Sequence, residues 1–247
     1  MKAPNVGKWS KHQKLSKDEF LQSYLPPTTP FSPDSLWEYA ENYKSVILKP
    51  SGGGGGAGIM KLTSIGDEQY LVHAGPSKRV VHGKEETVAY IRSLFRPKTY
   101  LLQPHLSLGR ISGRPFDIRV MVQRQKSTEP WIITGWLAKL AGPGYVVTNV
   151  ARSRGKVLPL RKAIAESKIA CSPHLLQELR QVSFAIARRL GRAYPNLREV
   201  GLDLGLDQQG KIWFIEANFR PAISLFQKLP DKSFYRRIKA LRSQPTR

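Results

Sequence analysis

Gly201-Leu202-Asp203-Leu204-Gly205-Leu206-Asp207-Gln208-Gln209-Gly210-Lys211-Ile212-Trp213-Phe214-Ile215-Glu216-Ala217-Asn218 decides how this 247-residue chain folds. Two apolar runs flank Asp207-Gln208-Gln209-Gly210, a four-residue sequence suited to a tight turn, so the stretch reads as a β-hairpin. With those four residues as the loop, Leu206 opposes Lys211 and Asp203 opposes Phe214. Side chains alternate along a strand, and opposed residues share a face. One face then carries Leu202, Leu204, Leu206, Trp213, Ile215 and Ala217. The other carries Gly201, Asp203, Gly205, Phe214, Glu216 and Asn218. A one-residue slip would scatter the acids over both faces, so the pattern selects the register. Two carboxylates and an amide oxygen meet beside glycines that leave space. Oxygen-only donors suit Mg²⁺, above all with a phosphate as co-ligand. For the hairpin alone, solvated surface acids explain the pattern equally well.

Upstream stretches weigh against that plainer reading. Ser45-Val46-Ile47-Leu48-Lys49-Pro50 is a short strand that ends on a lysine and enters Ser51-Gly52-Gly53-Gly54-Gly55-Gly56-Ala57-Gly58. Ile59-Met60-Lys61-Leu62 resumes as a strand, so the glycines form a hairpin loop and not an interdomain linker. Bare backbone amides can close over phosphates, and an adjacent ammonium suits a polyphosphate. No Gly-Lys-Ser/Thr follows, so this is not a Walker A loop. Strands around 68–73 and 78–82 and an amphipathic helix over Lys84–Phe95 come next. Thr99–Gln103 is a strand broken at Pro104-His105, a place for two lobes to hinge. In Pro115–Gln123, alternation puts Asp117, Arg119, Met121 and Gln123 on one face. An Asp and an Arg two apart form either an ion pair or part of a phosphate cleft. Trp131–Leu137 and Tyr145–Ala151 extend the sheet.

Flanking elements are helical. Ser16 with Glu19 makes a capping box for a helix near Lys17–Tyr24, and Ser32-Pro33 opens another. Ser172-Pro173 caps a long helix from His174 to Tyr194 with Leu175, Leu179, Val182, Ile186 and Leu190 as its buried stripe. A last helix spans Ser233–Leu241.

Lysine and arginine total 40 against 18 acids, for a net charge of +22. Such a field draws polyanions, but the cations are spread along the whole chain and no zinc-finger or RNP-type motif is present, so nucleic acid is not the expected partner. No apolar run is long enough to span a bilayer, and the N-terminus has no secretory h-region. A single cysteine, Cys171, excludes an internal disulfide and fits a reducing, cytoplasmic setting.

In order, Lys49 with its Gly run, Asp117-Ile118-Arg119, Asn149, Gly201-Leu202-Asp203 and Ile215-Glu216-Ala217-Asn218 resemble the ATP-grasp superfamily, nearest to its YheC/YheD endospore coat-associated group. The pattern is also similar to ribosomal-protein glutamate ligases and glutathione synthetases. The resemblance implies an α+β fold whose two lobes grip ATP between antiparallel sheets. The expected division is a basic lead-in over 1–34, a small lobe with the Gly-rich flap over 35–103, a metal-bearing lobe over 104–240, and a tail over 241–247. It also implies site roles. Lys8 and Lys49 contact phosphates, and Gly53, Gly54, Gly55 and Gly56 cover them. Gln103 and His105 lie at the adenine hinge, Asp117 near the ribose, and Arg119 at the γ-phosphate. Asn149 sits at the phosphate end. Asp203, Glu216 and Asn218 hold two Mg²⁺ or Mn²⁺ ions, and Arg220 grips a substrate carboxylate. The implied activity is ADP-forming ligation of a carboxylate to an amine or thiol through an acyl-phosphate, with an acidic peptide or polymer among the candidate substrates and spore-coat proteins among the candidate partners. The alternative is a non-catalytic coat component that binds nucleotide or polyanion. Relatives carry a preceding α/β domain, and a polar residue where Val147 stands; both differences separate this chain from their substrate specificity.

Overall fold

Asp18 accepts a hydrogen bond from the Leu21 amide and so starts a short helix, α2 (Glu19–Gln22), just after α1 (Lys8–Leu15). The cap is therefore Asp18, not Ser16, because Asp18 stands one residue before the turn and its carboxylate reaches the free amide. The structure is a computed structural model and describes residues 6–96, 99–143, 154–169 and 172–244. The Tyr145–Ala151 strand, Asn149, Val147 and Cys171 lie outside the described residues.

Next come β1 (Thr29–Pro30) and α3 (Pro33–Tyr43), whose Ser32 cap and Ser35 exchange both bonds of a capping box. Then follow β2 (Ser45–Pro50), β3 (Met60–Gly66), β4 (Gln69–Ala74), β5 (Ser77–His82), α4 (Lys84–Ser93) and β6 (Tyr100–Pro104). The strands form one antiparallel sheet in the order β1-β6-β2-β3-β4-β5. Alternation sends Val46, Leu48, Met60, Leu62, Val72 and Leu102 toward α3 and α4, where they are buried. The opposite face, with Ile47, Lys49 and Lys61, turns to the second half of the chain.

That half contains β7 (Arg110–Ile111), β8 (Arg114–Gln123), β9 (Ile132–Leu140), β10 (Lys156–Leu158), α5 (Leu160–Ser167), α6 (Leu175–Ala193), β11 (Glu199–Leu206), β12 (Ile212–Asn218), α7 (Ser224–Gln227) and α8 (Ser233–Ser243). Its sheet runs β10-β9-β8-β11-β12, with β7 paired to β8. The predicted stripe of α6, Leu175, Leu179, Val182, Ile186 and Leu190, is buried against Ile118, Val120, Leu202 and Leu204. Leu15, Leu21 and Leu25 join this core, so the basic N-terminal segment is part of the packing. On the sheet's other face, Met121 and Leu137 pack on Phe226, Leu229 and Ile238 from α7 and α8. The rest of that face is polar and carries the candidate site.

The hairpin forms, but in a different register. Asp203 opposes Glu216 and Gly201 opposes Asn218, whereas Leu204 opposes Phe214. Ile215 is the extra residue of a β-bulge between them. A bulge swaps faces beyond it. Phe214 therefore enters the core at 5% exposure and Ile215 turns to the site, the reverse of the alternation read from sequence. The loop also needs one more residue: Asp207 pairs with Lys211, and its carboxylate binds the amides of Gln209 and Lys211 and the Trp213 indole.

Candidate functional site

Four neighbouring strands place five charged side chains together. Across β8 and β9, Asp117 opposes Lys139; across β8 and β11, Arg119 opposes Asp203; across the hairpin, Asp203 opposes Glu216. The Arg119 guanidinium donates from Nε to Asp203 Oδ1 at 2.7 Å and from Nη2 to Oδ2 at 3.0 Å. Lys139 Nζ reaches Asp203 Oδ1 at 2.8 Å and Asp117 Oδ1 at 3.1 Å. Asp117, Arg119, Lys139 and Asp203 are each less than a tenth exposed. Burial by itself would raise the Asp203 pKa, but Arg119 and Lys139 outweigh it and hold the carboxyl well below the usual carboxylate range. Burial likewise pulls Lys139 down, and Asp117 and Asp203 overcome it, so its ammonium stays charged.

Beside this network lies β12. Three lysines from other elements grip its consecutive residues: Lys49 Nζ donates to the Ile215 carbonyl at 3.3 Å, Lys8 Nζ stands 3.4 Å from the Glu216 carboxylate, and Lys11 Nζ donates to the Ala217 carbonyl at 2.6 Å. Burial lowers both Lys11 and Lys49 to about 8, opposed by Glu216 and reinforced by Lys8. Burial and Lys49 push the nearby His12 down to about 4, so its ring is neutral at pH 7. Three ammonium groups around one carboxylate leave an excess of positive charge that a phosphate chain would complement.

The Gly-rich loop hangs over this region. Lys8 fastens it, donating from its backbone to the Ser51 carbonyl at 2.7 Å and from Nζ to the Gly53 carbonyl at 2.9 Å. Gly53, Gly55, Gly56 and Gly58 adopt positive φ, which gives the loop its path. A cleft of about 210 Å³ opens beneath it. Of the residues expected at the site, Lys49, Gly55, Gly56, Gln103, His105, Asp117, Arg119, Asp203, Glu216 and Asn218 all line that cleft. Ile47, Ile59, Leu106 and Leu108 supply apolar walls. Gln103 is held by a 2.6 Å bond from its amide to the Thr28 hydroxyl, and the His105 amide donates to the Ser45 carbonyl. Arg220 is exposed and does not line the cleft. Lys8 lines only the smaller pocket next to it.

Among the described residues, no group of three or more His, Cys, Asp and Glu side chains could hold a metal. A cation here would rely on Glu216, the Asn218 amide oxygen and Asp203. The Asn218 amide nitrogen turns to Asp203 Oδ2 at 3.4 Å, which leaves its oxygen for the cleft. The Glu216 and Asn218 oxygens suit Mg²⁺, whereas both Asp203 oxygens are engaged by Arg119, Lys139 and Asn218, so Asp203 would have to give up a partner to coordinate.

Lys139 and Lys11 escaped sequence reading. Lys139 interrupts the apolar strand Ile132–Leu140 on the same face as Asp117, and that misplaced charge is the signal that would have found it. Lys11 looked like one more cation of a basic lead-in, although it is the third of three lysines on β12.

A family model described as YheC/D-like ATP-grasp matches residues 2–243. The endospore coat-associated protein YheD of Bacillus subtilis (strain 168) is 28% identical over 226 residues, covering 89% of this chain and 49% of that protein. YheC of the same organism is 25% identical over 229 residues, covering 87% and 59% respectively. The chain therefore spans about half the length of the curated relatives it matches. The ATP-grasp ligase PsnB, solved with a minimal precursor, superposes with a TM-score of 0.56 at 15% identity, over 98% of this chain and 61% of that one. PsnB has also been solved with Mg and ADP, and that structure superposes at a TM-score of 0.55 and 14% identity. The match covers nearly the whole chain: this chain belongs to the YheC/D-like ATP-grasp family.

Proposed function

We propose that the protein is an ATP- and Mg²⁺-dependent ligase that joins a carboxylate to an amine and releases ADP and phosphate. The observation that carries this reading is the convergence of Lys49, the glycine loop, Arg119, Glu216 and Asn218 on one cleft. The base would rest between the apolar walls at Gln103–Leu106, with Asp117 on the ribose side. Lys49 and Lys8 would exchange their carbonyl and carboxylate partners for phosphate oxygens, while backbone amides of residues 53–56 close over the chain. Arg119, fixed by Asp203, faces the terminal phosphate. Glu216 and Asn218, with Asp203, would hold Mg²⁺, which neutralises charge on the transferred phosphoryl group.

In the reaction, a substrate carboxylate oxygen bonds to the γ-phosphorus as the bond to ADP breaks. The amine nitrogen then bonds to the acyl carbon, phosphate leaves, and the amine loses a proton. No protein nucleophile takes part; the chain contributes placement and charge neutralisation. Arg220 would complete the acceptor end and Asn149 the phosphate and metal end, and the lobes over residues 35–103 and 104–240 would act as the two jaws. Support comes from the family and from PsnB, whose solved complexes contain a precursor peptide, Mg and ADP.

Calorimetric titration with MgATP, using Glu216→Ala as control, tests the nucleotide reading; a wild-type protein that binds no MgATP would sink it. ADP release with pools of amino acids, peptides and acidic polymers then tests ligation. The net +22 and the coat-associated relatives favour a second reading, a nucleotide- or polyanion-binding assembly component. It predicts MgATP binding without ADP release for any pair offered. Cytoplasmic placement with association to the endospore coat is part of either proposal; among the described residues no helix is long and apolar enough to cross a membrane.

A further inference from the structure

Away from the lysines on β12, the cleft face of the first sheet carries a second group of cations. Ladder pairing sets Gln103 beside Ile47, Ile47 beside Lys61, Lys61 beside His73, and His73 beside Lys78, in one row across five strands. Odd positions of β2 and β3 point away from the buried Val46, Leu48, Met60 and Leu62, so this row faces the cleft and not the helices. Its inner end, Gln103 and Ile47, is cleft wall. Its outer end, Lys78, lies on the edge strand. His105 follows β6 in the same sheet, and Arg110, at the start of β7, lies within electrostatic reach of Lys61.

Lys61 and Lys78 stand on either side of His73, whose pKa burial and the two lysines lower, and among the described residues no acid pairs with Lys61, Lys78 or Arg110. Arg110 spends one nitrogen on the Gly113 carbonyl, 2.6 Å away. The groups sense one another: burial first, then Arg110 and Lys78, pushes the Lys61 ammonium down, and burial, Lys61 and Arg110 push His105 down to about 4. Charge held together in this way is relieved by an anion.

We infer that the row Lys61–His73–Lys78, faced by Arg110, is a docking lane for an acidic peptide segment that enters the cleft past Ile47. Lys61 and Lys78 are two strands apart, so their stems stand ~10 Å apart. A polyproline-II segment returns to the same face every three residues, ~9.3 Å along its axis. Acidic side chains at i and i+3 would thus meet the two lysines. The neighbouring row, Thr63, Leu71 and the 45% exposed Val80, offers an apolar shoulder to the residues between. No Phe, Tyr or Trp lies in the lane, and base stacking is what a single-stranded nucleic acid would require. That the peptide is the ligase's carboxylate substrate rests on the proposal above; that it binds does not.

Fluorescein-labelled octaglutamate, followed by anisotropy at low salt without nucleotide, tests the lane. Wild-type protein should bind it, and Lys61→Ala/Lys78→Ala/Arg110→Ala should weaken binding at least ~tenfold, the equivalent of about 1.4 kcal/mol. The charge-matched variant Arg188→Ala/Arg237→Ala/Lys239→Ala, on exposed helical positions, should bind like wild type. Far-UV circular dichroism and MgATP titration confirm that both variants fold, and separate this inference from the nucleotide reading. Equal losses in the two variants would show a diffuse effect of net charge and overturn the lane. So would failure of folded wild type to bind octaglutamate, whether or not MgATP binds. Tighter lane-dependent binding of oligo-dT or inorganic polyphosphate than of octaglutamate would overturn the choice of an acidic peptide.

Discussion

Lys139 touches both Asp117 and Asp203, yet it stands outside every sequence motif that pointed to the site. Removing one member of a buried ionic group leaves the others uncompensated, at a cost of about 3–5 kcal/mol. Lys139→Met should therefore lower the denaturant midpoint sharply, while Lys139→Arg keeps most of the stability. The same network sets the acid limit. Asp203 titrates in the folded state below its ordinary 3.8, so its contribution is complete above that value and is lost as pH falls toward the folded pKa. Urea titrations from neutral pH down to the acid limit should show this loss, and Asp203→Asn should show much less of it. Lys49 behaves oppositely. Its folded pKa is about 8, below the ordinary 10.5, and a bound phosphate would hold the proton on. MgATP affinity should fall as pH rises past that value, by up to ~tenfold per pH unit. Calorimetry across the range checks this; Lys49→Met should bind weakly with a flatter profile.

Elements differ in how much of them the sequence displayed. Alternation and glycine position exposed β2, β8, β11, β12 and the loop, because their periods are short and one face of each is buried. The order of those elements, more than any one of them, revealed the cleft. The Ile215 bulge stayed hidden, since one extra residue leaves an equally plausible alternation and only packing of Phe214 into the core decides between them. α1 was also missed: its polar surface carries no apolar stripe, and its place depends on partners distant in sequence, Ser51 and Ala217. The loop's glycines are not equivalent either. A Cβ on Gly58, at φ +74°, would meet the Tyr100 hydroxyl at 2.9 Å and Pro50 at 3.0 Å. A Cβ on Gly52 would meet nothing within 4 Å. Gly58→Ala should cost ~1–3 kcal/mol in denaturant stability, and Gly52→Ala should cost nearly nothing.

At the scale of the molecule, two cores face each other across one polar seam, and a nucleotide in that seam would contact both. MgATP at ~100 times its Kd adds ~2.7 kcal/mol to the folded state, and for a chain of this size each kcal/mol raises Tm by ~2–4 °C. A shift of that order in a thermal scan, absent in Glu216→Ala, is expected. The charge of +22 works over the same distances: field lines from many cations converge in a low-dielectric cleft and draw anions toward it.

One contact made by α1 has an optical consequence. The backbone amide of Trp9 donates to the Ser51 hydroxyl at the base of the glycine loop, and its indole stacks on the His12 ring with centroids 5.8 Å apart. His12 is neutral at ordinary pH, so the stacked ring carries no charge to quench emission. The chain thus contains its own fluorophore, fixed to the segment proposed to close over phosphates. In a variant with Trp37, Trp131, Trp136 and Trp213 replaced by Phe, the remaining emission would read the loop's position directly, with no attached dye.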